Sequence, residues 1–127
     1  METDLAKHGY KLSLDFLQKI LDKNNQKFLV GFERGQLKIE IYKPKEVDLQ
    51  QTHDQDEIYI VMSGKGQFFC NHTEISFKPM DLLFVPAHMP HSFKQFTDDL
   101  VVWVIFYGPP GGDQKSITSC LGGDSLI

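Results

Sequence analysis

The 127-residue chain has a formal net charge of -4, with 41% hydrophobic and 24% charged residues, the balance of a soluble globular chain with enough apolar surface for one core. Lysines are scattered singly, as at Lys38, Lys43, Lys45 and Lys65; without a basic stripe to neutralise a row of phosphates, nucleic acid is disfavoured as a partner. No apolar run reaches the roughly 18 residues of a spanning helix, and Met1-Glu2-Thr3-Asp4 is acidic and lacks an apolar signal core, so the expectation is a cytoplasmic protein with no membrane partner.

In chain order, Ser13 to Lys23 reads as one amphipathic helix. Ser13 suits an N-cap, Leu14, Leu17 and Leu21 recur at helical spacing with Phe16 and Ile20 beside them, and Asn24-Asn25 ends the run. The period then switches to alternation. Phe28, Val30 and Phe32 alternate with Leu29, Gly31 and Glu33; Gly35 marks a turn; Leu37, Ile39 and Ile41 alternate with Lys38 and Glu40 up to Pro44. Further strands are expected over about 57–62, 66–71, 74–77, 82–85, 91–96 and 100–107, separated by turn residues such as Ser63-Gly64-Lys65-Gly66, Asn71-His72 and Thr97-Asp98-Asp99. From Gly108 onward the chain is rich in Gly, Pro and Ser and reads as a loop tail. Many short strands with frequent turns predict an all-β sandwich or barrel, jelly roll included, with a short N-terminal helix, in a single domain over 1–127.

Two segments, Ile58 to Met62 and Leu100 to Tyr107, are apolar on both parities. Strands of that kind are covered on both faces. One cover is the interior; the other is the helix or a second subunit, and a homodimer is the favoured expectation. Cys70 and Cys120 are too few for a disulfide framework and are expected to be free thiols.

Two regions carry chemistry. In the first, Gln51, His53, Glu57 and Tyr59 share parity, so a continuous strand would point an amide, an imidazole, a carboxylate and a phenol the same way. In the second, Leu82 to Val85 reads as a strand ending at Pro86, a turn holds His88 and Pro90, and His91 opens the next strand. Singly, His53 reads as a solvated loop histidine, Glu57 as a surface charge and His91 as a structural histidine. Together, two histidines and a carboxylate form a facial ligand set for one divalent ion, with Fe, Mn, Ni, Co or Zn all compatible and Gln51 a weaker fourth ligand. Tyr59 is a candidate catalytic group, as a proton donor or a packed core ring. Phe68, Phe93 and Trp103 are candidates for an apolar pocket lining or for plain core. Asp54 and Asp56 form an acidic fringe that disfavours anionic ligands.

These two regions resemble the paired motifs of the cupin superfamily, in its small single-domain, cupin 2-like form. The first motif reads His-x-His, three or four residues, Glu, six residues, Gly. His53 stands for the second histidine, and Glu57 and Gly64 follow at the matching spacings. The second reads Gly, five residues, Pro-x-Gly, two residues, His, three residues, Asn; Pro86 and His91 match, while Met80, His88 and Gln95 replace the two glycines and the asparagine. Gln51 occupies the place of the first histidine, and the resemblance sets His88, where the family has a glycine, near the barrel mouth as a candidate catalytic acid or base or a rim residue. The resemblance covers about residues 36–107 and implies a double-stranded β-helix, the jelly-roll barrel of that superfamily. It also implies a metal site at His53, Glu57 and His91, with Gln51 as a possible further ligand.

Cupins serve many chemistries, so the fold does not select a reaction. The favoured expectation is a metal-dependent enzyme of the dioxygenase, isomerase or lyase type acting on a small organic molecule. The alternative is a non-catalytic module that binds a small ligand such as a sugar or a carboxylate. A structural dimer with a relic pocket is the weakest of the three.

Overall fold

The computed structural model describes residues 7–48, 50–113 and 126–127. Helix α1 spans Leu14–Lys23 and is followed by β1 (Phe28–Arg34), β2 (Leu37–Tyr42), β3 (Asp56–Ser63), β4 (Gly66–Cys70), β5 (Thr73–Phe77), β6 (Leu82–Val85), β7 (His91–Lys94) and β8 (Val101–Tyr107). The helix is capped as expected, with the Ser13 hydroxyl accepting from the Phe16 N–H at 3.3 Å. The strands form a five-stranded sheet in the order β1-β2-β8-β3-β6 and a three-stranded sheet in the order β5-β4-β7, and every described strand pair is antiparallel. The two sheets share one core as a jelly-roll sandwich, without hydrogen-bonded closure into a barrel among the described residues.

The register sets what faces inward. Across the five-stranded sheet, Lys38 pairs with Phe106 and Phe106 with Glu57; one step along, Glu40 pairs with Val104 and Val104 with Tyr59; then Tyr42 pairs with Val102 and Val102 with Val61. These rows share one pleat face, and it is the interior: Tyr59, Val61, Val102, Val104 and Phe106 belong to the main core with Phe68, Cys70, Phe77 and Phe93 of the smaller sheet. On β2 the polar parity therefore looks into the molecule. Ile41, with Val101 of β8, lies on the opposite face under Leu17 and Leu21 of α1. Trp103 packs there too, so it is not pocket lining, while Phe68 and Phe93 are core. Phe16, expected beside the buried stripe, is exposed. Cys70 is a free, buried thiol; Cys120 lies outside the described residues, as does most of the loop tail.

Helix α1 is therefore the second cover of the sheet beside β2 and β8, but the same face continues over β3 and β6 without it. There Ile58 and Ile60 are half-buried and pair with Phe84 and Leu82, which are exposed. Among the described residues no helix is long and apolar enough to cross a membrane.

Gly64 ends β3 with φ +88°, and a Cβ there would lie 2.5 Å from the Leu100 Cα. Both facts demand glycine, one through the left-handed backbone and one through contact with backbone that cannot swing away. Gly64→Ala is expected to destabilise the protein by about 2–3 kcal/mol, read as a lower urea midpoint with an unchanged slope.

Candidate metal centre

Glu57 lies in β3 of the larger sheet, His91 opens β7 of the smaller one, and His53 sits in the loop before β3. Folding the sheets face to face brings them together: one donor atom from each lies within 4.8 Å of the others. Glu57 and His91 are buried and His53 is half-buried. The loop that carries His53 is pinned from the second motif, because the His88 backbone N–H donates to the His53 carbonyl at 2.7 Å. The His53 ring stands edge-on to Phe106, centroids 4.8 Å apart.

His91 is oriented from behind. Its Nδ1 lies 2.8 Å from the Met89 carbonyl, which can only accept, so Nδ1 carries a proton and Nε2 faces the centre. Nε2 lies 2.8 Å from Glu57 Oε1 and 3.0 Å from the Tyr59 hydroxyl. Burial alone lowers the basicity of His91, but the hydrogen bond and charge of Glu57, the Met89 carbonyl and Asp48 outweigh it, and the pKa is raised. His53 goes the other way: burial lowers its pKa, Glu57 opposes, and His91 and Lys38 add to the lowering. A neutral imidazole is the form that ligates a metal.

Two buried polar atoms of this cluster have no hydrogen-bond partner, His53 Nε2 and Glu57 Oε2. Leaving such groups unsatisfied costs about 1–3 kcal/mol each, more for a charged one. A divalent cation between the three side chains satisfies both, and two imidazoles with one carboxylate suit a transition ion. The residues present therefore fit the metal expected of this motif pair.

The amide beside the centre is Gln50, not Gln51. Strand β3 begins only at Asp56, so alternation does not extend back to Gln51, which is exposed. Gln50 accepts from the Tyr59 hydroxyl at 2.7 Å through its Oε1. Behind it stands Asp48: Oδ1 accepts from the Tyr42 hydroxyl (2.6 Å) and the Gln50 N–H (3.1 Å), and Oδ2 accepts from Gln50 Nε2 (2.9 Å) and the Phe93 N–H (2.8 Å). Hydrogen bonds thus run from Tyr59 to Gln50 to Asp48; with its one proton on Gln50, the Tyr59 oxygen can only accept, from a protonated His91 Nε2 in the metal-free protein. Tyr59 is fully buried and its pKa stands well above the usual phenol range, chiefly from burial and then from the charges of Glu57 and Asp48. Asp48 and Gln50 escaped the sequence reading because they lie in irregular backbone, where no periodicity assigns a face.

His88 lies on the rim with its side chain on the surface, 2.9 Å from Asp54 Oδ1. Its φ of +65°, like those of Met80 (+76°) and Gln95 (+50°), falls in the left-handed region. This accounts for glycine and asparagine at the equivalent motif positions. Asp56 is not a free acidic fringe: it is buried and accepts from the Ala87 and Asp113 N–H groups at 2.9 and 3.0 Å.

A cavity of about 710 Å³ adjoins the centre through His53 and Gln50 and runs along Glu40 and Tyr42 of β2 and Phe106 of β8. Its size is that of a small-molecule site.

Comparison with known proteins agrees with this architecture. The family model described as "Cupin domain" matches residues 38–107. An uncharacterized protein of Streptomyces coelicolor is 34% identical over 62 residues, 49% of this chain, and the match spans 59% of that protein's length. Among solved structures, a cupin superfamily protein from Desulfitobacterium hafniense superposes with a TM-score of 0.53 at 18% identity, covering 62% of this chain and 73% of its own. A Cupin 2 conserved barrel domain protein from Salinispora arenicola gives 0.55 at 15% identity, covering 64% and 74%. A cupin-2 domain containing protein from Shewanella frigidimarina gives 0.51 at 20%, covering 72% and 91%. The sequence match takes in more than half of the chain, from β2 to the end of β8, and the solved relatives share its two-sheet scaffold, so the chain belongs to the cupin family.

Proposed function

We propose that the protein is a metal-dependent enzyme acting on a small organic molecule, with one divalent ion held by His53, Glu57 and His91. The observation that carries this is the pair of partnerless buried atoms, His53 Nε2 and Glu57 Oε2, converging with His91 on one point beside the cavity. When bound, an ion of this kind supplies Lewis-acid or oxygen-activating chemistry. The chain's own residues do the rest. His53 meets the cavity and presents the centre to a ligand there. Tyr59 gives its proton to Gln50 Oε1 and packs against the His91 ring, centroids 5.9 Å apart; it acts as a positioning residue, since its complete burial keeps it from the cavity. Gln51 is the weaker candidate for a fourth ligand, because it is exposed.

The test is metal content by plasma mass spectrometry on protein purified without a histidine tag, before and after reconstitution. Near-stoichiometric iron, manganese, nickel, cobalt or zinc supports the proposal, iron pointing to oxygen-dependent reactions and zinc to Lewis-acid ones. Absence of metal after reconstitution with each ion sinks it. A ligand that binds equally well before and after metal removal would instead assign a non-catalytic binding module.

The uncovered outer face of β3 and β6 is further proposed as the contact of a homodimer, on the exposure of Leu82 and Phe84 beside Ile58 and Ile60. Light scattering is expected to give a dimer mass for the wild type and a monomer mass for Phe84→Glu. A monomeric wild type removes the idea.

A further inference from the structure

Glu40 stands in the middle of β2, 9% exposed, with its side chain in the lining of the cavity. No hydrogen bond or ion pair reaches it among the described residues. Its stem is covered while its carboxylate oxygens, unlike His53 Nε2 and Glu57 Oε2, are not closed off from solvent, so the group is held open to the cavity. Two lysines line the same cavity, and neither makes an ion pair with it. Lys38, two residues along the same face, holds its Nζ 5.2 Å from the centroid of the Phe106 ring, and Lys27 is exposed. Burial raises the pKa of Glu40; Lys38 opposes this, and the charge of Glu57 adds to it.

The surroundings are aromatic. Phe28, Tyr42 and Phe106 line the same cavity. Glu40 is the one carboxylate of that lining, and a carboxylate beside ring faces complements an organic cation, which gains from both the charge and the π-systems. The sheet also sets the reach. Glu40 lies in register with Val104 and Val104 with Tyr59, so Glu40 stands two strands, about 10 Å of backbone, from the strand that carries Glu57. Glu40 and His53 line the same cavity, so one small molecule within it can meet both.

We infer that Glu40 is a recognition carboxylate for a small organic molecule bearing a protonated amine, with the amine on Glu40 and the other end toward His53. The inference rests on the enzyme reading above only for that second end.

The probes are 2-phenylethylamine and its neutral analogue 2-phenylethanol, titrated by NMR at about pH 8, where the amine is protonated and a carboxylate ionised. Wild type is expected to bind the amine about 10-fold or more tightly than the alcohol, with amide shifts concentrated at 38–42 and 104–106. In Glu40→Gln, which keeps the shape and removes the charge, the preference is expected to vanish. Equal affinity for the two probes, no saturable binding of the amine to wild type, or a preference that survives in Glu40→Gln would each overturn the inference. The wild-type shift map needs no variant to fold, and Glu40→Leu repeats the test with no polar group at all. Each titration is run on metal-loaded and chelator-treated protein. An amine preference in protein that takes up no metal upholds Glu40 and sinks only the metalloenzyme reading.

Discussion

Replacing His91 by alanine is expected to leave the purified protein without metal and to cost the metal-free fold about 3–5 kcal/mol. The argument is electrostatic. His91 and Glu57 are both about 1% exposed, and their side chains meet at 2.8 Å. Removing the imidazole strands Glu57 in low dielectric, where Oε2 already lacks a partner. Breaking one half of a buried pair is far more damaging than replacing both halves with apolar groups. His91→Ala combined with Glu57→Leu is therefore expected to recover much of the stability while remaining metal-free. Urea titration of chelator-treated protein reads the stability and plasma mass spectrometry the metal. A His91→Ala protein as stable as wild type would show that the pair does not hold the sheets together.

The same pair gives a pH dependence with a defined sign. The folded pKa of His91 is raised above its unfolded value of about 6.5. In the metal-free protein its contribution to stability is fully present below that unfolded value and is lost as pH rises through the folded pKa. Urea midpoints of chelator-treated wild type, measured on either side of neutrality, are expected to show this falling component, and His91→Ala to lack it.

The second large effect is expected at Asp48, which touches no ligand. Each of its carboxylate oxygens accepts two hydrogen bonds, from Tyr42 and two groups of Gln50 and from the backbone of Phe93 on β7. Asp48→Asn keeps the shape but must turn an NH₂ group toward two donors whichever way the amide lies. Loss of two hydrogen bonds to a charged acceptor amounts to about 2–4 kcal/mol for a half-buried group. It also frees Gln50, which in turn frees the Tyr59 hydroxyl beside His91. Outer-shell partners of a metal ligand are worth about 10–100-fold in affinity, so metal binding in competition with a chromophoric chelator is expected to weaken by that factor. Stability lost with metal affinity unchanged would reduce Asp48 to a structural bracket between the loop and β7.

The legibility of this chain was uneven for physical reasons. Strands and turns were readable because alternation and turn residues are local: the hairpin at Asn71-His72, with φ of +52° and +60°, is where the residue types put it. The helix was readable from Ser13 and the leucine spacing. Parity does not place Gln51, because β3 begins only at Asp56, and Gln50, which meets Tyr59, carried no periodic signal. Glu40 carried no signal, since Lys38-Ile39-Glu40-Ile41 normally reads as a polar outer face. Here the apolar parity is taken by α1 and the polar one lines a cavity.

The amino-acid sequence by itself determined the all-β class, most of the strand positions, the cupin resemblance and the candidacy of His53, Glu57 and His91, because each depends on residue type at fixed spacing along one chain. The tertiary structure decided the rest. Which face of β2 is interior depends on where the helix docks. The meeting of Glu57 and His91 depends on two separate sheets closing face to face. The roles of Asp48, Gln50 and Glu40 depend on which atoms are left without partners once water has been expelled from the core, a quantity that no spacing along the chain encodes.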